Sequence, residues 1–184
     1  MIIKASIALV ITLAVVGTTS QILRPPTPRL LYNPSESAPV GWYRVQSNFP
    51  IQRGDQVAAY GPEWARHLAD KRGYLPYDYP LIKTVWAVAG EEVCYNDKSV
   101  SVPKRPDIPV LGQDVLGRDM PQKSGCIVLK SGEYLLISPD VQTGFDSRYF
   151  GPVRSENILG VVQYLEESKN LKSSEKPDLA GSEG

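Results

Sequence analysis

Apolar residues in this chain fall into short runs, and most of those runs have the spacing of strands. They lie at Gly41–Gln46, Gln56–Tyr60, Leu81–Ala89, Val93–Tyr95, Ser99–Val102, Cys126–Leu129, Tyr134–Ile137 and Ile158–Leu165, each bounded by turn residues, the punctuation expected of extended segments. With 16 prolines and 15 glycines spread along 184 residues, long helices are disfavoured and tight turns favoured. Together these predict one mainly β domain built on an antiparallel sheet. One segment reads differently. Pro62-Glu63-Trp64-Ala65-Arg66-His67-Leu68-Ala69-Asp70 opens on a proline, pairs Trp64 with Leu68 and Ala65 with Ala69 at i, i+4, and runs to Gly73; it predicts one short helix.

The two ends do not share this pattern. Ala5 to Val16 reads ASIALVITLAVV, and Lys4 is the only charge before Arg24. A membrane span takes about 20 residues, which Ile2 to Leu23 supply with polar ends. The stretch is either a cleaved signal or a retained anchor, and Thr18-Thr19-Ser20 matches a small-x-small cleavage site poorly. We therefore expect residues 1–23 to be a transmembrane anchor. Lys4 favours its short side lying inside the cell, which exports everything beyond Leu23. Arg24 to Pro28 (RPPTP) is a stiff linker, residues 24–168 form the domain, and the polar stretch 169–184 reads as a disordered tail.

Charge removes one class of function. There are 20 basic and 20 acidic residues, balanced and unclustered, so the chain lacks the basic footprint that neutralises phosphates, and nucleic acid is not an expected partner. No CxxC or Cys/His cluster supports a zinc site, the carboxylates form no pair suited to metal or glycoside chemistry, and no cofactor is expected. Cys94 and Cys126 are the two cysteines: a bridge in an oxidising compartment, buried thiols in a reducing one.

Three places remain where chemistry can reside. Lys83 is the only charge between Asp78 and Glu91, in LIKTVWAVAG, where both strand faces are apolar. A lysine there either snorkels from a strand end or sits in a dry site, where its pKa falls and it can take a proton. His67, the single histidine, stands among charges on the predicted helix and reads as a surface residue, so a Ser-His-Asp arrangement is not supported. The third place is Asn33-Pro34-Ser35-Glu36-Ser37-Ala38-Pro39-Val40-Gly41-Trp42-Tyr43, whose serines lie two apart in a loop ringed by Pro and Gly. Alone it reads as a surface turn.

Taken in order, N-x-S-x-S-x-P-x-G-x-Y at 33–43, I-K-x-V-x-A-x-x-G-E-x-V at 82–93 and F-D-S-R-Y-F-G-P-V at 145–153 resemble the signal peptidase I superfamily. More closely, they look like its conjugation branch, the TraF-type pilin peptidases, over about Asn33 to Val162. The resemblance implies a signal-peptidase-like β fold and a serine peptidase in which Ser37 is the nucleophile and Lys83 the general base. Ser35 would help hold the oxyanion, with Asp146 and Arg148 as a charged pair supporting the site. It further implies a Cys94–Cys126 disulfide, a pilin precursor as substrate, conjugation or type IV secretion components as partners, and a catalytic domain on the periplasmic side of the inner membrane. Hydrolysis or cyclisation of the pilin would end the reaction. A general signal peptidase and a non-catalytic scaffold of a secretion machine are the alternatives. In one respect the chain departs from leader peptidases. They carry Gly-Asp-Asn before the last box and, two residues before its Asp, a serine that touches the lysine. Here these positions read Ser138-Pro139-Asp140 and Gly144, and Thr143 is the expected substitute partner for Lys83.

Overall fold

The computed structural model describes residues 28–165 together with Ile7, Ile11, Thr12, Val15 and Gly17. Those five apart, the expected anchor at 1–23 lies outside the described residues, as does the expected tail at 169–184. Among the described residues, no helix is long and apolar enough to cross a membrane.

Two antiparallel sheets make up the domain. The larger runs in the order β1 (Leu30–Asn33), β2 (Gly41–Gln46), β11 (Ile158–Leu165), β3 (Gln56–Ala59), β4 (Leu81–Ala87), β9 (Glu133–Ile137), β10 (Val153–Arg154). The smaller runs β7 (Ile108–Pro109), β6 (Ser99–Ser101), β5 (Glu92–Tyr95), β8 (Gly125–Val128). Strands β3 and β4 lie inside the larger sheet, and their residues alternate between two cores. Val57, Ala59 and Val85 pack on one face with Ala65, Ala69, Phe145, Tyr149 and Phe150; Ala58 and Ile82 pack on the other with Leu31, Tyr43, Val45 and Val162. A third cluster, including Val93, Val100, Leu129, Leu135 and Ile137, joins the two sheets. Two-sided coverage is why β4 reads as a continuous apolar run.

Helix α1 (Glu63–Arg72) has Glu63 in its first turn, Lys71 and Arg72 in its last, and Gly73 in the left-handed conformation (φ 70°) as its cap, a C-terminus of the usual chemistry. Its buried face is narrower than the i, i+4 pattern suggests: Ala65 and Ala69 go inside, while Trp64 is 47% exposed. The expectation of one helix is corrected by a second, the single turn α2 (Ser147–Phe150). Within the box 145–151, Asp146 accepts the Arg148 N–H as an N-cap, so the segment is helical.

Candidate active site

Ser37 sits on the loop joining β1 to β2, whose ends are held in register by Asn33 opposite Gly41. Asn33 is buried and organises the loop. Its Nδ2 donates to the carbonyls of Ser35 (2.8 Å), Ala38 (3.0 Å) and Pro39 (3.1 Å), while its Oδ1 accepts the Ser35 N–H (3.2 Å). Tyr43, fully buried, donates its hydroxyl to the Pro39 carbonyl at 2.8 Å; burial, then neighbouring Tyr164, pushes that phenol up to about 12. Gly41 is required here, because a Cβ would stand 2.9 Å from the Tyr164 ring at a φ of +144°. Within the loop Ser35 Oγ accepts the Ser37 N–H at 3.2 Å and donates to Ser37 Oγ at 3.0 Å. Both serines are half-buried.

Lys83 comes from the opposite direction. It lies on β4, in register with Val57 of β3, and is 2% exposed. Burial lowers its pKa from 10.5 to about 8; the charge of Asp146 opposes that shift and the charge of Arg148 adds to it. The dry-site alternative is the one realised. Its Nζ donates to Ser138 Oγ at 2.9 Å, so the expected partner Thr143 is replaced by a serine just beyond β9. Thr143 instead lines the cleft. The register explains the exchange: β9 pairs with β4, Ile137 opposite Thr84, which carries Ser138 to the lysine.

Behind Lys83, Asp146 and Arg148 are both fully buried and joined by two hydrogen bonds, Nε to Oδ1 at 2.8 Å and Nη2 to Oδ2 at 3.0 Å, the fork geometry that guanidinium favours. The rest of the guanidinium donates to the carbonyls of Pro109, Gln142, Ser138 and Val141. Ser147, which the sequence pattern did not single out, accepts the Leu136 N–H at 3.0 Å and so ties α2 to β9. No charge in this cluster is left unpaired, as burial demands.

Ser37 and Lys83 both line two adjoining cavities. One is about 250 Å³ and mostly apolar, with Leu111, Met120 and Phe145 in its wall; the other is about 390 Å³, bordered by Gln56, Thr84 and Asp140. Among the described residues, no hydrogen bond joins Ser37 Oγ to Lys83 Nζ; each group is engaged elsewhere. His67 stands apart, exposed on α1 with its ring 4.5 Å from that of Tyr77. Cys94 and Cys126 are bonded to each other across β5 and β8, where they stand in register, in the smaller sheet.

The chain is similar to proteins already known. Residues 2–165 match the family described as signal peptidase, peptidase S26. A plasmid transfer protein TraF from Escherichia coli is 36% identical over 141 residues, covering 71% of this chain and 79% of its own length. A probable conjugal transfer protein TraF from Sinorhizobium fredii is 37% identical over 146 residues, 73% of this chain and 74% of its own. A signal peptidase I V from Bacillus subtilis is 32% identical over 96 residues, 47% of this chain and 57% of its own.

Proposed function

The chain belongs to the signal peptidase S26 family, on the branch of TraF-type conjugal transfer proteins, and from that premise we propose that it is a Ser37/Lys83 peptidase that matures a pilin precursor for conjugation. One observation carries the reading: a lysine 2% exposed, its pKa lowered to about 8, shares a cleft with a serine presented on a braced loop. About one-tenth of such a lysine is neutral at pH 7, enough to act as a base.

Neutral Lys83 takes the proton of Ser37 as Oγ attacks the scissile carbonyl, then returns it to the leaving amine. The tetrahedral oxyanion is held by the Ser37 N–H and the Ser35 hydroxyl, a contribution of about 2.7–4 kcal/mol per donor in comparable sites. An ester on Ser37 remains. Water resolves it to a free carboxylate; the amino terminus of the same substrate, held close, resolves it to a cyclic subunit. We place the domain on the periplasmic face of the inner membrane, where the substrate would meet it and where the Cys94–Cys126 bridge persists.

The test is processing of a pilin precursor by the full-length protein. Ser37→Ala and Lys83→Ala each abolish it, Lys83→Arg fails because a guanidinium keeps its proton, and His67→Ala is unchanged. Since the neutral amine is the active form, kcat/KM rises with pH through an acidic limb centred near 8. Substantial maturation by Lys83→Ala sinks the dyad. Equal cleavage of a panel of unrelated signal peptides favours the second reading, a general signal peptidase, to which the Bacillus subtilis relative lends support.

A further inference from the structure

Beside the catalytic cleft, one hairpin turns apolar side chains outward. Residues 111–120 leave the core where the Leu111 N–H donates to the Tyr149 hydroxyl at 3.1 Å. They then double back, so that Gln113 stands opposite Asp119 and the Met120 N–H reaches the Gly112 carbonyl at 2.8 Å. At the tip are Val115 and Leu116, 77% and 71% exposed. Among the described residues, no other large apolar side chain is as open to solvent.

The tip is exposed but not loose. Asp114 closes the turn: its Oδ1 accepts the N–H groups of Leu116 and Arg118, each at 2.9 Å, and its Oδ2 accepts from Arg118 Nε at 2.7 Å and from the Tyr74 hydroxyl. Arg72, in the last turn of α1, donates from Nη2 to the Asp119 carbonyl at 2.9 Å, which ties the hairpin to the helix. A single exposed aliphatic residue needs no explanation. Two adjacent ones, fixed by a carboxylate, form a surface that binds without the cost of ordering a loop.

Position says what that surface meets. Val115 lines the apolar cavity that Ser37 and Lys83 also line, together with Tyr74, Leu111 and Met120, so the cavity wall runs out onto the tip. A lipid surface fits it less well. Arg118 is the only cation of the segment and is bonded to Asp114, and the exposed Asp119 repels an anionic leaflet. We infer that the hairpin is an exosite, in which Val115 and Leu116 take a large apolar side chain of the precursor from a residue flanking the bond that Ser37 attacks. The inference deepens the reading of this cleft as a peptidase site and rests on it.

Three full-length variants in detergent micelles test it with a pilin precursor: Val115→Ser/Leu116→Ser, Phe49→Ser and Ser37→Ala. The tip variant changes only surface positions, where substitution costs little stability. It is expected to raise KM about 10- to 100-fold with kcat nearly unchanged, the mark of lost binding rather than lost chemistry. In a series of precursors, each large apolar residue near the cleaved bond is replaced in turn by serine. One replacement reproduces the defect in the native enzyme and adds nothing to it in the tip variant, since the two sides of one contact are not additive. Phe49, 59% exposed and outside both cavities, is the control for exposed apolar surface as such, and Phe49→Ser keeps the native KM. A native KM in the tip variant overturns the inference. So does a series in which every replacement adds in full to the tip defect, and so does an equal loss in Phe49→Ser, which assigns the effect to the micelle. Ser37→Ala keeps the exosite apart from the dyad. If it is inactive while the tip variant has a native KM, only the exosite falls; if it is active, the dyad falls, and the coupling between tip and precursor still decides the exosite.

Discussion

Ser37 and Lys83 meet at one cleft but are placed by opposite means. Ser37 is held locally: every hydrogen bond that Asn33 makes into its loop spans six residues or fewer. Lys83 is held at a distance, by a serine 55 residues away whose backbone N–H and carbonyl are each bonded to one member of a buried ion pair. Turn chemistry suffices to present a nucleophile, whose hydroxyl needs no altered environment. A lysine with a lowered pKa needs a closed core on every side, which only the completed sheet and α2 supply. On the proposed mechanism the base is therefore a property of the whole fold, and the nucleophile a property of one loop.

The largest effect expected from breaking this contrast is on the base side. Asp146→Ala leaves Arg148 buried and unpaired, costing about 3–5 kcal/mol and roughly 10 °C in Tm, read by calorimetry; an unchanged Tm would detach the pair from the scaffold of the base. Next is the disulfide. Replacing Cys94 and Cys126 by serine reopens a span of 32 residues, a loss of roughly 3–4 kcal/mol in the chain-entropy model. The bridge lies in the smaller sheet, so the pH profile of the folded enzyme stays where it was, and a moved acidic limb would show that lost stability alone disturbs Lys83.

Lys83→Met sharpens the contrast by removing the buried amine itself. Burial sets the folded pKa near 8 against 10.5 for the free side chain, so the folded state binds this proton less tightly than the unfolded chain does. That penalty, about 3 kcal/mol for a gap of about 2.5, is present in full below pH 8 and is relieved as pH climbs towards 10.5. Urea unfolding of the two proteins should therefore differ by up to about 3 kcal/mol at pH 7, in favour of Lys83→Met, with the difference shrinking by pH 10. Buried phenols such as Tyr43 titrate alike in both and cancel. The smallest effect lies on the nucleophile side: Asn33→Ala removes one brace, costs about 1–3 kcal/mol and lowers kcat, while its acidic limb coincides with that of the native enzyme. A shifted limb there would mean that the two halves are coupled.

The same division explains what was legible in the sequence. The runs of β2 and β11 have the bounds the pattern indicates, because half-buried strands write their alternation into the chain. Strands β1, β7 and β10, of two to four residues, are too short to carry a period and exist through their partners. Trp64 fits the period of α1 yet stays outside, where Ala65 and Ala69 form the contact face. The clue to α2 was Asp146 at the N-cap and Gly151 after it. The burial of Lys83 stayed open because it depends on both faces of β4 being covered. Ser138 was not paired with Lys83 in the sequence reading, since only the β4–β9 register, which no local pattern encodes, brings it to the lysine.

The bond between Ser35 and Ser37 bears on how the resting molecule treats its neighbours. Ser35 Oγ occupies the place of the acceptor at the Ser37 N–H, so on the proposed mechanism an incoming carbonyl must break a contact before it can be stabilised. A long polypeptide offsets that opening with the apolar surface it covers along the cleft. A short ester or a stray loop of another protein has nothing to offset it with. On that mechanism latency toward bystanders is built into two neighbouring hydroxyls, and selectivity begins before any side chain of the substrate is read.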